Sequence, residues 1–313
     1  METKKDINYY FRQKKANIQD YELIKIIGFD KYGQYFLISY NIDEFEEKQL
    51  YAMAKLEIKS NKFQLELTKK LEILKNINSY HINKIYDYYF KNEEGKDFAF
   101  ILMDYCEKGN LYHIIYGNNY LNQRTILRIF IQIIQGLKFL NLNNIFLEIL
   151  TPSNIFLDKN NNVKIGIFDI IYDFKEEYLF HENEDILSYL SPEILNGFPY
   201  NDKCNIWSLG CILYELVFKK RAFNYNENNI DTKCEIIKVN IPDNCEKNIK
   251  NILSKLLCEE RERLTIDEII YDGTIKNQLI EENLFDEIIK DIDNDKYNIK
   301  CKFSFIKFYN YSF

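Results

Sequence analysis

The period of apolar positions changes twice along this chain. Residues 21–27, 35–40 and 50–58 are runs of β-branched and aromatic residues, which predict three strands. The first two are separated by Gly28-Phe29-Asp30-Lys31-Tyr32-Gly33, a turn with glycine at both ends. Residues 62–77 shift to a helical repeat, with Leu67, Leu71 and Leu74 on one face. Two more strand-like runs, 82–90 and 98–103, flank the polar turn 91–97. After Gly109, apolar-periodic stretches at 122–143, 202–219 and 246–258 predict helices. The pattern predicts an α+β chain, small and β-rich first, larger and helical afterwards, with the change near Cys106–Gly109. No internal repeat or low-complexity tract interrupts it.

Composition adds bulk to that picture. Of 313 residues, 46% are hydrophobic and 28% charged, which suits a sizeable core and excludes a disordered or collagen-like chain. Glycine (10) and proline (4) are scarce, and only six of the 41 basic residues are arginine. Those shortages bear on function, because phosphate-handling sites use glycine backbones and arginine forks. A net charge of −7 and a pI near 5.3 argue against nucleic acid as a partner. No run of 18 apolar residues is present and the first residues hold no apolar signal core, so neither a membrane span nor a signal peptide is expected. The seven cysteines form no Cys-x-x-Cys pair, and His81, His113 and His181 share no helical spacing with them. Isolated thiols of this kind suit a reducing, cytoplasmic setting without zinc.

Several short motifs then stand in one order. Gly28-x-Asp30-x-x-Gly33 precedes Ala52-Met53-Ala54-Lys55, and Met103-Asp104-Tyr105-Cys106 follows. Thr151-Pro152-Ser153-Asn154, Val163-Lys164-Ile165-Gly166, Tyr189-Leu190-Ser191-Pro192-Glu193 and Ile206-Trp207-Ser208-Leu209-Gly210 come after them. In this order they resemble a eukaryotic protein kinase domain of the Ser/Thr type over residues 21–272, with wording at 189–193 and 206–216 most similar to the NimA-related kinases. The resemblance implies a two-lobed α+β fold with a nucleotide cleft between the lobes. A small lobe of five strands and one helix would span about 21–105, and a helical large lobe about 106–272. Residues 1–20 and 273–313 would be extensions. Trp207 would lie in the central buried helix, and Glu193 would form a buried ion pair with Arg263.

The same resemblance assigns a task in phosphoryl transfer to each position, and several positions hold unsuited chemistry. Ile149 stands in place of the aspartate that accepts the substrate proton, Thr151 in place of a phosphate-steadying lysine, and Glu148 in place of an arginine. Isoleucine accepts no proton, and Glu148 would repel a phosphate. Ile167-Phe168-Asp169 replaces the metal-binding Asp-Phe-Gly, and Ile167 offers no oxygen to Mg²⁺. Of the side chains that hold metal, Asn154 alone remains. Asp30 replaces the middle glycine of the phosphate turn. Lys55 matches the strand lysine that pairs with phosphates; its helix partner aligns with Lys70, with Glu66 and Glu72 nearby as substitutes. Asn205 and Ile186 replace an aspartate and a threonine that support the catalytic aspartate.

From these positions the leading expectation is a catalytically inactive kinase homologue, no enzyme, acting as a scaffold or allosteric module. Its partners would be proteins, such as an active kinase or a multiprotein assembly. No catalytic residue, metal or cofactor is expected. At most, ATP would bind weakly and without Mg²⁺ in a vestigial cleft of Gly28, Gly33, Lys55, Met103, Asp104, Cys106 and Asn154. The alternatives are an unconventional active Ser/Thr kinase in which Glu148 or Asp169 takes over, or an ATP-binding sensor without turnover. Strand-like alternation turns Glu148 away from substrate, whereas Asp169 keeps the parity of the missing metal aspartate. Residues 276–295 are acidic and amphipathic, with Leu279, Leu284, Ile288 and Ile289 as apolar members, and 296–313 partly alternate lysine with aromatics. That tail reads as a packed strand or as a partner-docking segment.

Overall fold

The computed structural model describes residues 21–29, 33–40, 49–117, 121–145, 147, 149–167, 184–223, 239–243, 245–281 and 284. The chain divides into two compact units, with the switch after Glu107 and the short stretch Ser79–Ile82 belonging to the second.

The first unit is a five-stranded antiparallel sheet and one helix. β1 (Tyr21–Phe29), β2 (Gly33–Tyr40), β3 (Gln49–Glu57), β4 (Ile85–Glu93) and β5 (Lys96–Asp104) lie in the order β1-β2-β3-β5-β4. Between β3 and β4 runs α1 (Asn61–Leu74), opened by Ser60, whose hydroxyl accepts the Phe63 N–H at 3.1 Å. Leu67, Leu71 and Leu74 recur on one face of α1 and are fully buried. That face packs on the side of the sheet that carries Tyr88 and Ile101. These two pair across β4 and β5, and the Tyr88 hydroxyl donates to Glu72 of α1 at 2.6 Å. Ala54 pairs with Ile101 from β3 and is also fully buried there. β2 and β3 approach so closely at Gly33 that a Cβ would stand 2.1 Å from the Lys55 carbonyl oxygen, so only glycine fits. β4 is shifted three residues later than its apolar run predicts, and β5 runs longer than its own. Glu94 and Gly95, at φ of 53° and 83°, make the whole turn.

The second unit contains α2 (Leu111–Tyr116), α3 (Gln123–Leu142), a 3₁₀ turn (Pro152–Asn154), and the paired strands β6 (Ile155–Leu157) and β7 (Val163–Ile165). It continues with α4 (Glu184–Leu187), α5 (Pro192–Leu195), α6 (Lys203–Phe218), α7 (Lys247–Leu256), α8 (Ile266–Tyr271) and α9 (Gly273–Glu281). α3 is long and apolar enough to cross a membrane, at mean hydropathy 1.3, but 72% of that span is buried inside the fold, so it is a core helix. α6 is buried all round from Cys204 to Leu216 and is mostly apolar, with Asn205, Ser208 and Glu215 as buried polar members. It stops where Lys219 turns left-handed at φ 55°.

One buried charge joins the later elements. Arg263 donates to Glu193 of α5 at 2.6 and 3.2 Å, to the Lys203 carbonyl at 2.9 Å and to the Cys258 carbonyl at 3.0 Å. Its guanidinium lies 5.1 Å over the Trp207 ring, which stacks on Phe223. The pair expected from the resemblance is thus bidentate, with the Arg263 side chain 0% and the Glu193 side chain 7% exposed. Burial pushes the Glu193 carboxyl up, but the hydrogen bonds and charge of Arg263 pull harder, and the net pKa lies below its ordinary 4.5. A carboxyl lowered in the folded state stabilises fully above its unfolded pKa, and that stabilisation is lost as pH falls through the folded value. Replacing Arg263 by Met strands a buried carboxylate and should cost about 3–5 kcal/mol in urea unfolding at pH 7. Glu193→Gln should flatten the loss of stability between about pH 5 and 3, measured on the same unfolding curves.

Candidate functional site

The segment that corresponds to the catalytic loop is built by a proline and an asparagine. Thr151 is extended, Pro152 starts the 3₁₀ turn, and Asn154 closes it. The Asn154 side chain accepts the Thr151 N–H at 2.9 Å and donates to the Ile149 carbonyl at 3.1 Å. Its own carbonyl accepts the Gly166 N–H at 2.7 Å, which ties the loop to the residue after β7. A Cβ at Gly166 would meet the Phe156 ring at 2.9 Å and the Asn154 oxygen at 3.0 Å. Asn154 is therefore a staple of this loop: both ends of its amide engage loop backbone.

The two isoleucines are packed as core. Ile149 is 4% exposed and clusters with Leu187 and Leu190, flanked by Ile186, Ile194 and Leu195. Ile167 is 1% exposed. Asn205 is buried, and its side-chain oxygen has no hydrogen-bond partner among the described residues. The fold family implies Mg²⁺, and the described residues do not fit it. Asn154 supplies the only oxygen among them at the expected positions, and no group of three His, Cys, Asp or Glu could hold a metal among the described residues. Asp30, Glu148 and Asp169 lie outside the described residues.

Gly28, Gly33, Lys55, Met103, Asp104 and Cys106 all belong to the first unit. Met103 is buried beside Ala52, its partner across β3 and β5. Asp104 accepts the Tyr86 hydroxyl at 2.7 Å and the Lys84 N–H at 3.1 Å, and Cys106 is buried. Gly28 has open space around its missing Cβ.

Lys55 requires a correction. It pairs with Phe100 rather than Ile101, so it stands on the face of the sheet opposite to α1. Its ammonium donates to Glu93 at 2.5 Å and lies 4.2 Å over the Phe98 ring. Neither Lys70, Glu66 nor Glu72 can meet it from α1. The helix-facing position belongs to Ala54. Side chains alternate along a strand, so a motif placed one residue off moves its lysine to the wrong face. Glu93, the carboxylate the sequence reading missed, is held below its ordinary pKa by hydrogen bonds from Lys55 and then Lys91. The alternation Ala52, Ala54, Leu56, small and aliphatic beneath a helix, was the available signal.

A second missed contact is Tyr189, whose hydroxyl lies 2.8 and 3.0 Å from the two carboxylate oxygens of buried Glu215. Burial, then the Glu215 charge, pushes the Tyr189 phenol well up. The Tyr189–Glu215 contact is buried, the Lys55–Glu93 contact half-buried, and neither is announced by an apolar period.

If the Ile149 position is packed core, Ile149→Asp should lower stability by about 2 kcal/mol or more at pH 7. A buried carboxyl has a raised pKa, so the deficit relative to the unaltered protein should shrink at pH 5, read by paired urea titrations.

The sequence pattern of the protein kinase domain family matches residues 21–273. Among similar proteins, serine/threonine-protein kinase Nek3 of Oryza sativa subsp. japonica is 28% identical over 66% of this chain and 35% of its own length. A probable serine/threonine-protein kinase nek2 of Dictyostelium discoideum is 24% identical over 73% of this chain and 57% of its own. An Aurora kinase of Eremothecium gossypii is 24% identical over 80% and 68%. The chain thus spans about a third to somewhat over half of the first two relatives. The expectation that the chain is no enzyme is overturned by these relatives, which are named as kinases. With the motif order, the sheet-and-helix first unit and the Glu193–Arg263 tie in place, the chain belongs to the protein kinase domain family.

Proposed function

We propose that the chain is an unconventional protein kinase of the Ser/Thr type, using ATP as phosphoryl donor and acidic groups displaced from their usual positions. The observation that carries this reading is the match to relatives named as serine/threonine-protein kinases across 66% and 73% of the chain. The stapled loop of Asn154 supports it, because that loop is the platform on which the reacting groups stand. In the transfer, a substrate hydroxyl oxygen forms a bond to the terminal phosphorus while the bond from that phosphorus to the bridging oxygen of ADP breaks. The hydroxyl proton needs an acceptor, and Ile149 is none. Asp169 is the first candidate, because strand-like alternation turns Glu148 away from substrate; Asp169 keeps the parity of the missing metal aspartate at Ile167. The five free cysteines among the described residues suit a cytoplasmic setting.

The test is incorporation of labelled phosphate from ATP into a mixed Ser/Thr peptide library, with Mg²⁺ or Mn²⁺. Incorporation should fall at least tenfold in Asp169→Asn. It should change less than twofold in Lys55→Ala, because Lys55 faces Glu93 and Phe98. No incorporation with either metal, from protein that unfolds cooperatively, would overturn the proposal.

A further inference from the structure

Within the second unit, away from the kinase motifs, lies a groove whose lining is almost wholly polar. It runs between α7 and α9, has a volume of about 910 Å³, and holds Ile241 as its one large apolar side chain. Ligand sites are typically about 300–1,000 Å³, so the size is ordinary, but most are apolar and this one is not. The two helices run antiparallel, and three contacts fix their register. Asn248 donates to the Gln278 side chain at 2.7 Å, Asn251 to the Thr274 hydroxyl at 3.0 Å, and Lys255 to Asp272 at 2.5 Å. Each asparagine spends its amide nitrogen on α9, which leaves its amide oxygen as an acceptor in the lining.

The charges of the groove run against those of the chain. The lining carries Lys247, Lys250 and Lys255 against a single carboxylate, Glu281, although the whole chain has a net charge of −7. Lys255 is committed to Asp272. Lys250 meets only an exposed Asp243, at 3.7 Å, and Lys247 has no carboxylate partner among the described residues. These two lysines stand three apart in the first turn of α7, so they are neighbours on one face, at the helix end whose dipole disfavours cations.

Ammonium groups beside amide oxygens suit one kind of occupant. The ammoniums attract anions, whereas the oxygens of Asn248 and Asn251 accept N–H groups. A compact polyanion such as a polyphosphate brings no donors for the asparagines and meets Glu281. An extended peptide with acidic side chains brings both, because every backbone unit other than proline carries an N–H. From Lys247 to Ser254, α7 rises about 10 Å, the span of about three extended residues. We propose that the groove between α7 and α9 is a docking site for an acidic peptide segment of a partner protein. This inference does not rest on the catalytic reading.

The test is fluorescence anisotropy of a labelled octapeptide of alternating Asp and Glu, titrated with the whole chain at low salt. Saturable binding is expected, with a Kd below about 1 mM, weakening as added salt screens the lysines. The paired substitution Lys247→Gln and Lys250→Gln should weaken it about tenfold. Both side chains are exposed and leave the positive end of a helix, so the urea midpoint should hold or rise, and lost binding then reports the groove. Inorganic tripolyphosphate should displace the labelled peptide only at higher concentration than the unlabelled peptide does. Unchanged affinity in the paired variant, no binding below about 1 mM, or tripolyphosphate displacing the peptide more readily than the peptide itself would overturn the proposal.

Discussion

The second unit depends on one buried ion pair. Arg263 and Glu193 lie 70 positions apart in sequence, and each alone would be an uncompensated charge in a dry interior. Joined, they fix three things at once. The guanidinium closes the last carbonyls around Cys258, holds the start of α6 through the Lys203 carbonyl, and supports the Trp207 ring. The end of the segment that contains Ser191 and Pro192 is thereby anchored to α6. Once α6 is anchored, Ser208 can donate to the Tyr189 carbonyl, and Tyr189 can reach Glu215. The Ile149 cluster with Leu187 and Leu190 rests on that arrangement.

The first unit is governed by a different constraint, the strict alternation of side chains along a strand. Gly33 sets how closely β2 approaches β3, and the register then decides every face. Ala52, Ala54 and Leu56 go beneath α1, while Tyr51, Met53 and Lys55 go to the aromatic side. The chemistry of Lys55 follows from this alone. On its face the nearest carboxylate is Glu93, and the rings of Phe98 and Phe100 line its path. A lysine one residue earlier would face the helix.

Much of this fold is legible in the sequence, and the failures have physical causes. The leucine repeat at 67, 71 and 74 placed α1, and the long apolar periods placed α3, α6 and α7, because a buried face must recur every three to four residues. The strand expected at 82–90 begins only at Ile85, because Ile82 bridges to Ile165 and belongs to the second unit, while Asn83 and Lys84 bond to Asp104. Long-range polar contacts such as Arg263 with Glu193 leave no periodic trace, and only the resemblance to kinases pointed to that pair. The site was legible as a set of substitutions, Ile149, Thr151 and Ile167, but not as geometry. The bonds of Asn154 to Thr151 and Ile149, which staple the loop, leave no trace in the sequence pattern. Those substitutions show which side chains are missing, whereas the similarity to relatives named as kinases is spread over the whole domain.

The scaffold can hold these positions only if Arg263 and Glu193 act as one unit. A double-mutant cycle on Glu193→Gln and Arg263→Met, read by urea unfolding at pH 7, measures that directly. The account predicts a coupling of about 2–3 kcal/mol, the double variant being much less damaged than the sum of the singles. Additive losses, with coupling under about 0.5 kcal/mol, would contradict it.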